Sequence, residues 1–224
     1  MQQRSLVVVS AGLSQPSSTR LLADRLAAAS GDSLERLGVG VQTSTFDLRD
    51  HAHDIVNNLL TGFAPAALSP VVDAISGADG VIAVTPIFNA SYSGLFKSFF
   101  DVLDDEALTG RPVLIAATGG SARHSLALEH AVRPLFTYLR AVVVPTSVYA
   151  APEDWSGDPA GVSGGTGAVS AAGGAAATGA LADRIKRAAR EFADLVERHE
   201  PVKAADPFTL TTSFEELLGG TGAA

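Results

Sequence analysis

The chain has 224 residues, 46% of them hydrophobic, with a formal net charge of −8 and no cysteine. That length and apolar content suit one sizeable core, and the acidity speaks against a general nucleic-acid binder, because phosphate backbones select basic surfaces. Without thiols, disulfides, cysteine nucleophiles, thiolate metal sites and iron–sulfur clusters are excluded, so any redox chemistry must be carried by a bound cofactor. The start, MQQRSLVVVSAG, has too short an apolar run for a signal peptide, and no stretch reaches about 18 uninterrupted apolar residues. A soluble cytoplasmic protein without a membrane segment is expected.

In chain order, LVVV at 6–9 reads as a strand buried on both faces, followed by a Gly/Ser/Pro loop from Ser10 to Arg20. LLADRLAAA then has helical spacing, with Ser17 or Ser18 as N-cap. Val41–Phe46 is a second strand ending at Asp47, and 50–60 and 68–76 are helical candidates. GVIAV at 80–84 is a third strand, followed by the loop TPIFNASYSG and a helix from about Leu95 to Leu103. PVLIAA at 112–117 is a fourth, followed by TGGS and a helix to about Leu139, inside which Arg133-Pro134 predicts a kink. Val142–Val148 is the fifth.

Strands alternating with helices imply an α/β fold with a parallel sheet and right-handed crossovers. Five strands suit the flavodoxin-like doubly wound order 2-1-3-4-5, with helices on both faces. This core spans 1–155. From Ser156 to Ala180 there are eight Gly and eight Ala in 25 residues, without apolar periodicity, which predicts a mobile loop or linker. Residues 181–200 carry Leu181, Ile185, Ala188, Phe192, Leu195 and Val196 on one face, an amphipathic helix expected to pack on the core. Residues 201–224 read as an extended tail.

In an open parallel sheet, ligands bind beyond the carboxyl ends of the strands, where the winding direction reverses. Three loops reach that end. The first offers hydroxyls from Ser10, Ser14, Ser17, Ser18 and Thr19 just before a helix N-terminus, a setting for a terminal phosphomonoester. The same serines also serve as simple caps, and the loop alone leaves both readings open. It has neither G-x-G-x-x-G nor P-loop spacing. The second loop brings Pro86, Ile87, Phe88, Asn89, Tyr92 and Ser93 to a place where aromatic, amide and hydroxyl groups can border a flat ring. The third, Thr118-Gly119-Gly120-Ser121-Ala122-Arg123-His124, has two glycines that allow backbone N–H groups near a ring edge. A hydrolase built on Ser121 and His124 is disfavoured, because Arg123 stands where the G-x-S-x-G elbow needs glycine.

Other polar clusters carry less. His51 and His53 point to different faces of a helix and gather too few ligands for a metal. Asp101, Asp104, Asp105 and Glu106 read as a solvated helix end.

TPIFNASYSGLFKSFFD (85–101) and ATGGSARHSLALEHAVRPL (117–135), with the weaker first loop, resemble the NADPH-dependent FMN reductase family over roughly residues 5–150. The likeness is greatest to the flavin-supplying reductases of two-component, sulfonate-type monooxygenases. It implies FMN with its phosphate in the Ser10–Arg20 loop and its ring between the 85–94 and 118–124 loops. NADPH or NADH would stack on the flavin and pass hydride to its N5, with no residue required as acid or base and no metal. Two departures stand out. Many relatives have Arg where Ser14 aligns, leaving Arg20 or hydroxyls to meet the phosphate. The sulfonate branch has a helix-distorting Tyr where His130 aligns, so His130 is either a stacking or interface residue or an exposed helical histidine. The resemblance further implies a homodimer or homotetramer and delivery of reduced FMN to a monooxygenase. An FMN-retaining quinone or azo reductase, a non-enzymatic flavodoxin-like electron carrier and a flavin-free interaction module are the alternatives.

Overall fold

The computed structural model describes residues 3–155 and 171–200. The elements are β1 (Gln3–Ser10), α1 (Ser18–Arg36), β2 (Gly40–Asp47), α2 (Ala52–Thr61), α3 (Ser69–Gly77), β3 (Gly80–Phe88), β4 (Ser91–Tyr92), α4 (Gly94–Phe100), β5 (Pro112–Thr118), α5 (Arg133–Tyr138), β6 (Val142–Val143), β7 (Val148–Ala150) and α6 (Ala171–Arg198). The sheet runs β2-β1-β3-β5-β6, all parallel. Counting the last strand once, this is the expected flavodoxin-like order 2-1-3-4-5.

Side chains of a strand point alternately to its two faces, and this chain uses both. Val7, Val9, Val81, Ala83, Val113 and Ile115 face Ile55, Ile75, Phe96, Phe100 and Phe136 of α2–α5. Leu6, Val8, Ile82, Val84, Leu114 and Ala116 face Leu22 and Leu26 of α1 and Ile185, Phe192 and Val196 of α6. On the first face, Phe100 meets Phe96 and Phe136 with ring centroids 4.8 Å apart in each case. Edge-on and tilted contacts of this kind suit the quadrupoles of the rings.

The fifth strand departs from the expected Val142–Val148. It is interrupted after Val143, and its second half, Val148–Ala150, pairs with the carboxyl end of β5. Pro145 lies in the gap and has no N–H for a ladder bond. The intervening carbonyls find other partners, since Arg133 donates to Val144 at 3.0 Å and to Pro145 at 3.1 Å.

The continuous helix expected up to Leu139 is also divided. A short 3₁₀ turn (Ala122–His124) is followed by a π-helical turn (Leu128–Val132), in which the Arg133 N–H reaches back five residues to the Leu128 carbonyl. Pro134, which predicted a kink, has no N–H to return to the His130 carbonyl. The widened turn sits where that bond is missing, and the chain then continues as α5.

α6 begins at Ala171, ten residues before the expected Leu181, so 171–180 is helical rather than linker. Alanine has the highest helix propensity of any residue and needs no apolar stripe to favour the helix. The remainder of the Gly/Ala-rich segment, 156–170, and the expected tail, 201–224, lie outside the described residues.

α6 lies tightly on the sheet. A Cβ at Gly80 would stand 2.6 Å from Val196 and 2.7 Å from Phe192. Its end is fastened by Arg4, only 3% exposed, which pairs with Asp79 at 3.1 Å and donates to the carbonyls of Glu197 and His199. Burial, then the nearby Arg111 and Arg4 guanidiniums, hold the His199 imidazole below its ordinary pKa.

Gly80→Ala is therefore expected to overpack the α6 contact and lower stability by about 1–3 kcal/mol, read from denaturant midpoints. His199 binds protons less readily folded than unfolded, so stability is full above the unfolded value near 6.5 and falls as pH drops from there toward the lower folded value. Comparing unfolding at pH 7.5 and 5.5 should show a smaller acid loss in His199→Asn than in the parent.

Candidate active site

β1 connects to β2 on one side and neighbours β3 on the other, so the winding direction reverses between β1 and β3. At their carboxyl ends Ser10 is in register with Asp47 and with Val84, and the Ala11 N–H donates to the Val84 carbonyl at 2.9 Å. The Ser10 hydroxyl is fully buried there and has no protein partner.

The loop after β1 folds tightly back on α1. Ser17 is the N-cap and accepts from the Arg20 N–H at 3.2 Å. A Cβ at Gly12 would stand 2.0 Å from the Ser17 hydroxyl, so this approach requires glycine. Ser18 opens α1. A cleft of about 290 Å³ lies beside the loop, lined among others by Gly12, Ser14, Ser17, Arg20, Asp47 and Arg49.

Arg20, which the family resemblance left together with the hydroxyls to meet the phosphate, is already engaged. It donates to Asp24 at 2.8 Å and to Asp47 at 2.6 Å. Asp24 first, then Asp47, raise its pKa above the ordinary arginine value. Arg49 stands 3.3 Å from Asp50.

The second segment is not a loop throughout. β3 continues to Phe88 and turns through Asn89 and Ala90, both at positive φ, into β4, with Ile87 opposite Tyr92 and Phe88 opposite Ser91. Two successive left-handed residues suit the turn of a two-residue hairpin. Pro86 and Ile87 are buried, Phe88 is 45% exposed and Asn89 is exposed at the tip. Tyr92 leans on Phe96, with ring centroids 6.0 Å apart. Ser93 is buried as the N-cap of α4, accepting from the Phe96 N–H, while its own N–H donates to Thr85. Tyr92 and Ser93 thus have structural work at the base of the hairpin.

The third segment joins the first directly. Thr118, at the end of β5, shares a 2.8 Å hydrogen bond between hydroxyls with Thr19 of α1. Gly119 donates to the Ala150 carbonyl at 3.2 Å. Gly120 is exposed with open space around its Cα, Ser121 caps the 3₁₀ turn, and His124 is exposed. His130 is exposed on the π turn.

Tyr149 was not a candidate from the sequence. Its phenol donates to the Ser121 carbonyl at 2.8 Å, and a Cβ at Gly119 would lie 2.1 Å from its oxygen. Burial, with Glu153 and Asp154 nearby, pushes its pKa up, so it remains a neutral donor. Arg184 of α6 ties the backbone below it, donating to the Tyr149 carbonyl at 3.2 Å and to Asp154 at 2.8 Å. The only foresight available was a tyrosine at the end of the last strand, opposite two glycines. No group of three or more His, Asp or Glu that could hold a metal is found among the described residues.

Residues 5–156 match the family described as NADPH-dependent FMN reductase. This chain belongs to that family. It is 40% identical over 150 residues to an FMN reductase (NADPH) of Pseudomonas aeruginosa, covering 67% of this chain and 78% of that protein. It is 38% identical over 151 residues to the NADH-dependent FMN reductase SfnF of Pseudomonas fluorescens, with 67% and 78% covered. Among solved structures it is similar to an oxidoreductase from Corynebacterium diphtheriae, with 43% identity, a TM-score of 0.76, and 89% of this chain and 100% of that one covered. The protein is an NAD(P)H-dependent FMN reductase, with FMN and the nicotinamide as its redox partners. The residues present fit such a group: an unpartnered buried hydroxyl at Ser10, a glycine-dependent cleft carrying two arginines, and two small-residue loops held together by Thr19 and Thr118.

Tyr149→Phe is expected to free the Ser121 loop and weaken FMN binding several-fold, with the thermal midpoint shifted by no more than about 1 kcal/mol of stability. Flavin fluorescence titration alongside thermal unfolding separates the two effects, because a merely structural tyrosine would move only the second.

Proposed function

We propose that the enzyme takes FMN as an exchangeable substrate at the carboxyl ends of β1, β3 and β5 and hands reduced FMN to an FMNH2-dependent monooxygenase. The phosphate enters the cleft lined by Ser14 and Ser17, with Ser18 and Thr19 at the start of α1 and Ser10 at the end of β1 as its further hydroxyls. The ring lies between the Pro86–Asn89 strand end and the Thr118–Ser121 loop, with His124 at its rim. The observation that carries this placement is the Thr19–Thr118 hydrogen bond, which fixes the first and third loops as one unit at the point where the sheet reverses.

FMN supplies the two-electron chemistry when bound. The protein's part is to hold two flat rings in contact, and no side chain is assigned as acid or base. Gly119 and Gly120 keep the ring edge open to backbone, Tyr149 holds their loop in place, and Pro86 and Ile87 form a dry wall. A site made of positioning groups suits a reaction in which proximity supplies most of the acceleration.

Exposed Leu59, Leu60 and Phe63 at the end of α2, Leu126 before the π turn and Tyr138 at the end of α5 support self-association as a homodimer or homotetramer. No helix among the described residues is long and apolar enough to cross a membrane, and we place the enzyme in the cytoplasm. The likeness to flavin-supplying reductases favours delivery to a monooxygenase over a quinone or azo reductase with captive flavin.

Flavin-stripped protein should oxidise many equivalents of NADH or NADPH only when FMN is added, with saturation in FMN, as followed by nicotinamide absorbance. Turnover at one equivalent of tightly held flavin, unaffected by added FMN, would instead indicate the captive-flavin reductase. His130→Ala tests the π turn, and an unchanged oligomeric state and FMN affinity would mark His130 as a plain surface residue.

A further inference from the structure

We propose that Asp47, assisted by Asp24, sets the FMN affinity of the phosphate cleft by occupying Arg20 and cancelling its charge, so that the phosphomonoester is held weakly enough to exchange. This rests on reading the cleft as the phosphate site.

Arg20 has five N–H donors, and two of them are spent on carboxylates. Its Nε donates to Asp24 Oδ1 at 2.8 Å and one Nη to Asp47 Oδ2 at 2.6 Å. The cleft is lined by two cations, Arg20 and Arg49, and two anions, Asp24 and Asp47, so its ionic lining sums to zero. An incoming phosphate, with about −1.5 to −2 charges at neutral pH, meets donors but no net attraction. Donor geometry without net charge gives recognition with limited affinity.

Asp24 raises the pKa of Arg20 more, but Asp47 is the less screened of the two charges at the cleft. Its side chain is 20% exposed against 50% for Asp24, so solvent screens it less. It ends β2 directly opposite Ser10, whose buried hydroxyl has no partner. Its carboxylate caps nothing and ties β2 to α1 only through Arg20. It precedes the 3₁₀ turn at Leu48–His51 without a side-chain capping bond, and among the described residues it bonds Arg20 alone. A carboxylate that caps no helix and whose one partner is the cleft arginine is placed to tune that cleft.

The test measures dissociation constants for FMN and for riboflavin, which lacks the phosphate, on the flavin-stripped full chain. Asp47→Asn keeps an acceptor for Arg20 and removes the charge. It is expected to tighten FMN by about five- to tenfold, to leave riboflavin unchanged and to steepen the salt dependence of FMN binding. Asp24→Asn should act in the same direction but less, and Arg20→Gln should weaken FMN while sparing riboflavin. Thermal midpoints of all three variants establish that they are folded, and Asp24→Asn carries the test if Asp47→Asn is not. If Arg20→Gln weakens FMN selectively but neither aspartate variant tightens it, the cleft holds the phosphate and the proposal is wrong. Looser FMN in Asp47→Asn would also overturn it, showing that Asp47 aims Arg20 instead of restraining it. If no variant separates FMN from riboflavin, the phosphate lies elsewhere and the underlying reading fails as well.

Discussion

A parallel sheet with apolar side chains on both faces has to be covered on both faces, and most of this molecule follows from that requirement. Val7 and Val9 look one way and Leu6 and Val8 the other, so helices must lie on each side of β1. Right-handed crossovers then send α1 to one face and α2–α5 to the other. Because the strands of the path β2-β1-β3-β5-β6 are parallel, the connections that follow them collect at one end. The crevice beside Ser10 is the gap left where the chain stops winding outward through β2 and restarts at β3. The site is thus a by-product of covering the sheet.

The two ends of the sheet are treated differently. At the amino end, Arg4 and Arg111 are buried, Arg4 paired with Asp79 and bonded to the carbonyls of Glu197 and His199, Arg111 bonded to those of Ala107, Ala78 and Ser76. That arrangement seals the base and pins α6. At the carboxyl end, the hydroxyls of Ser10, Thr19 and Thr118 are buried between loops of small residues, and charges sit at the rim instead of underneath. Rigidity at one end lets the other be built from short, glycine-dependent connections without losing its shape.

The strands were legible because an apolar run of β-branched residues has few other uses, and the alternation with helices implied a parallel sheet, whose order five strands suited but did not fix. What escaped were features set by single backbone atoms. The missing N–H of Pro134 widened a turn, and that of Pro145 interrupted a strand, but a pattern read by apolar period is blind to a donor that is absent. Asn89-Ala90 is a weak hairpin signal because alanine disfavours positive φ, so the loop after β3 gave no warning of β4. The helix from Ala171 was missed for the opposite reason: alanine favours helix without leaving a stripe. For the candidate site, the sequence pointed to three loops but not to side chains contributed by other elements. Asp47 from β2, Tyr149 from β7 and Arg184 from α6 reach it only through tertiary structure.

Both redox partners of this enzyme are anions, yet the chain carries a formal charge of −8. Long-range steering therefore works against encounter, and whatever affinity exists must be generated by contacts within the site. Such contacts come from oriented N–H groups and hydroxyls, which act at hydrogen-bond distance and are blind to net charge. Arg20 is the cation that α1 brings to the cleft, and it is shared with two carboxylates. A permanently flavinated protein would gain from leaving that arginine free. One that must release its flavin reduced, as an anion into an acidic surrounding field, gains from the opposite arrangement, because the same repulsion that slows entry also speeds departure.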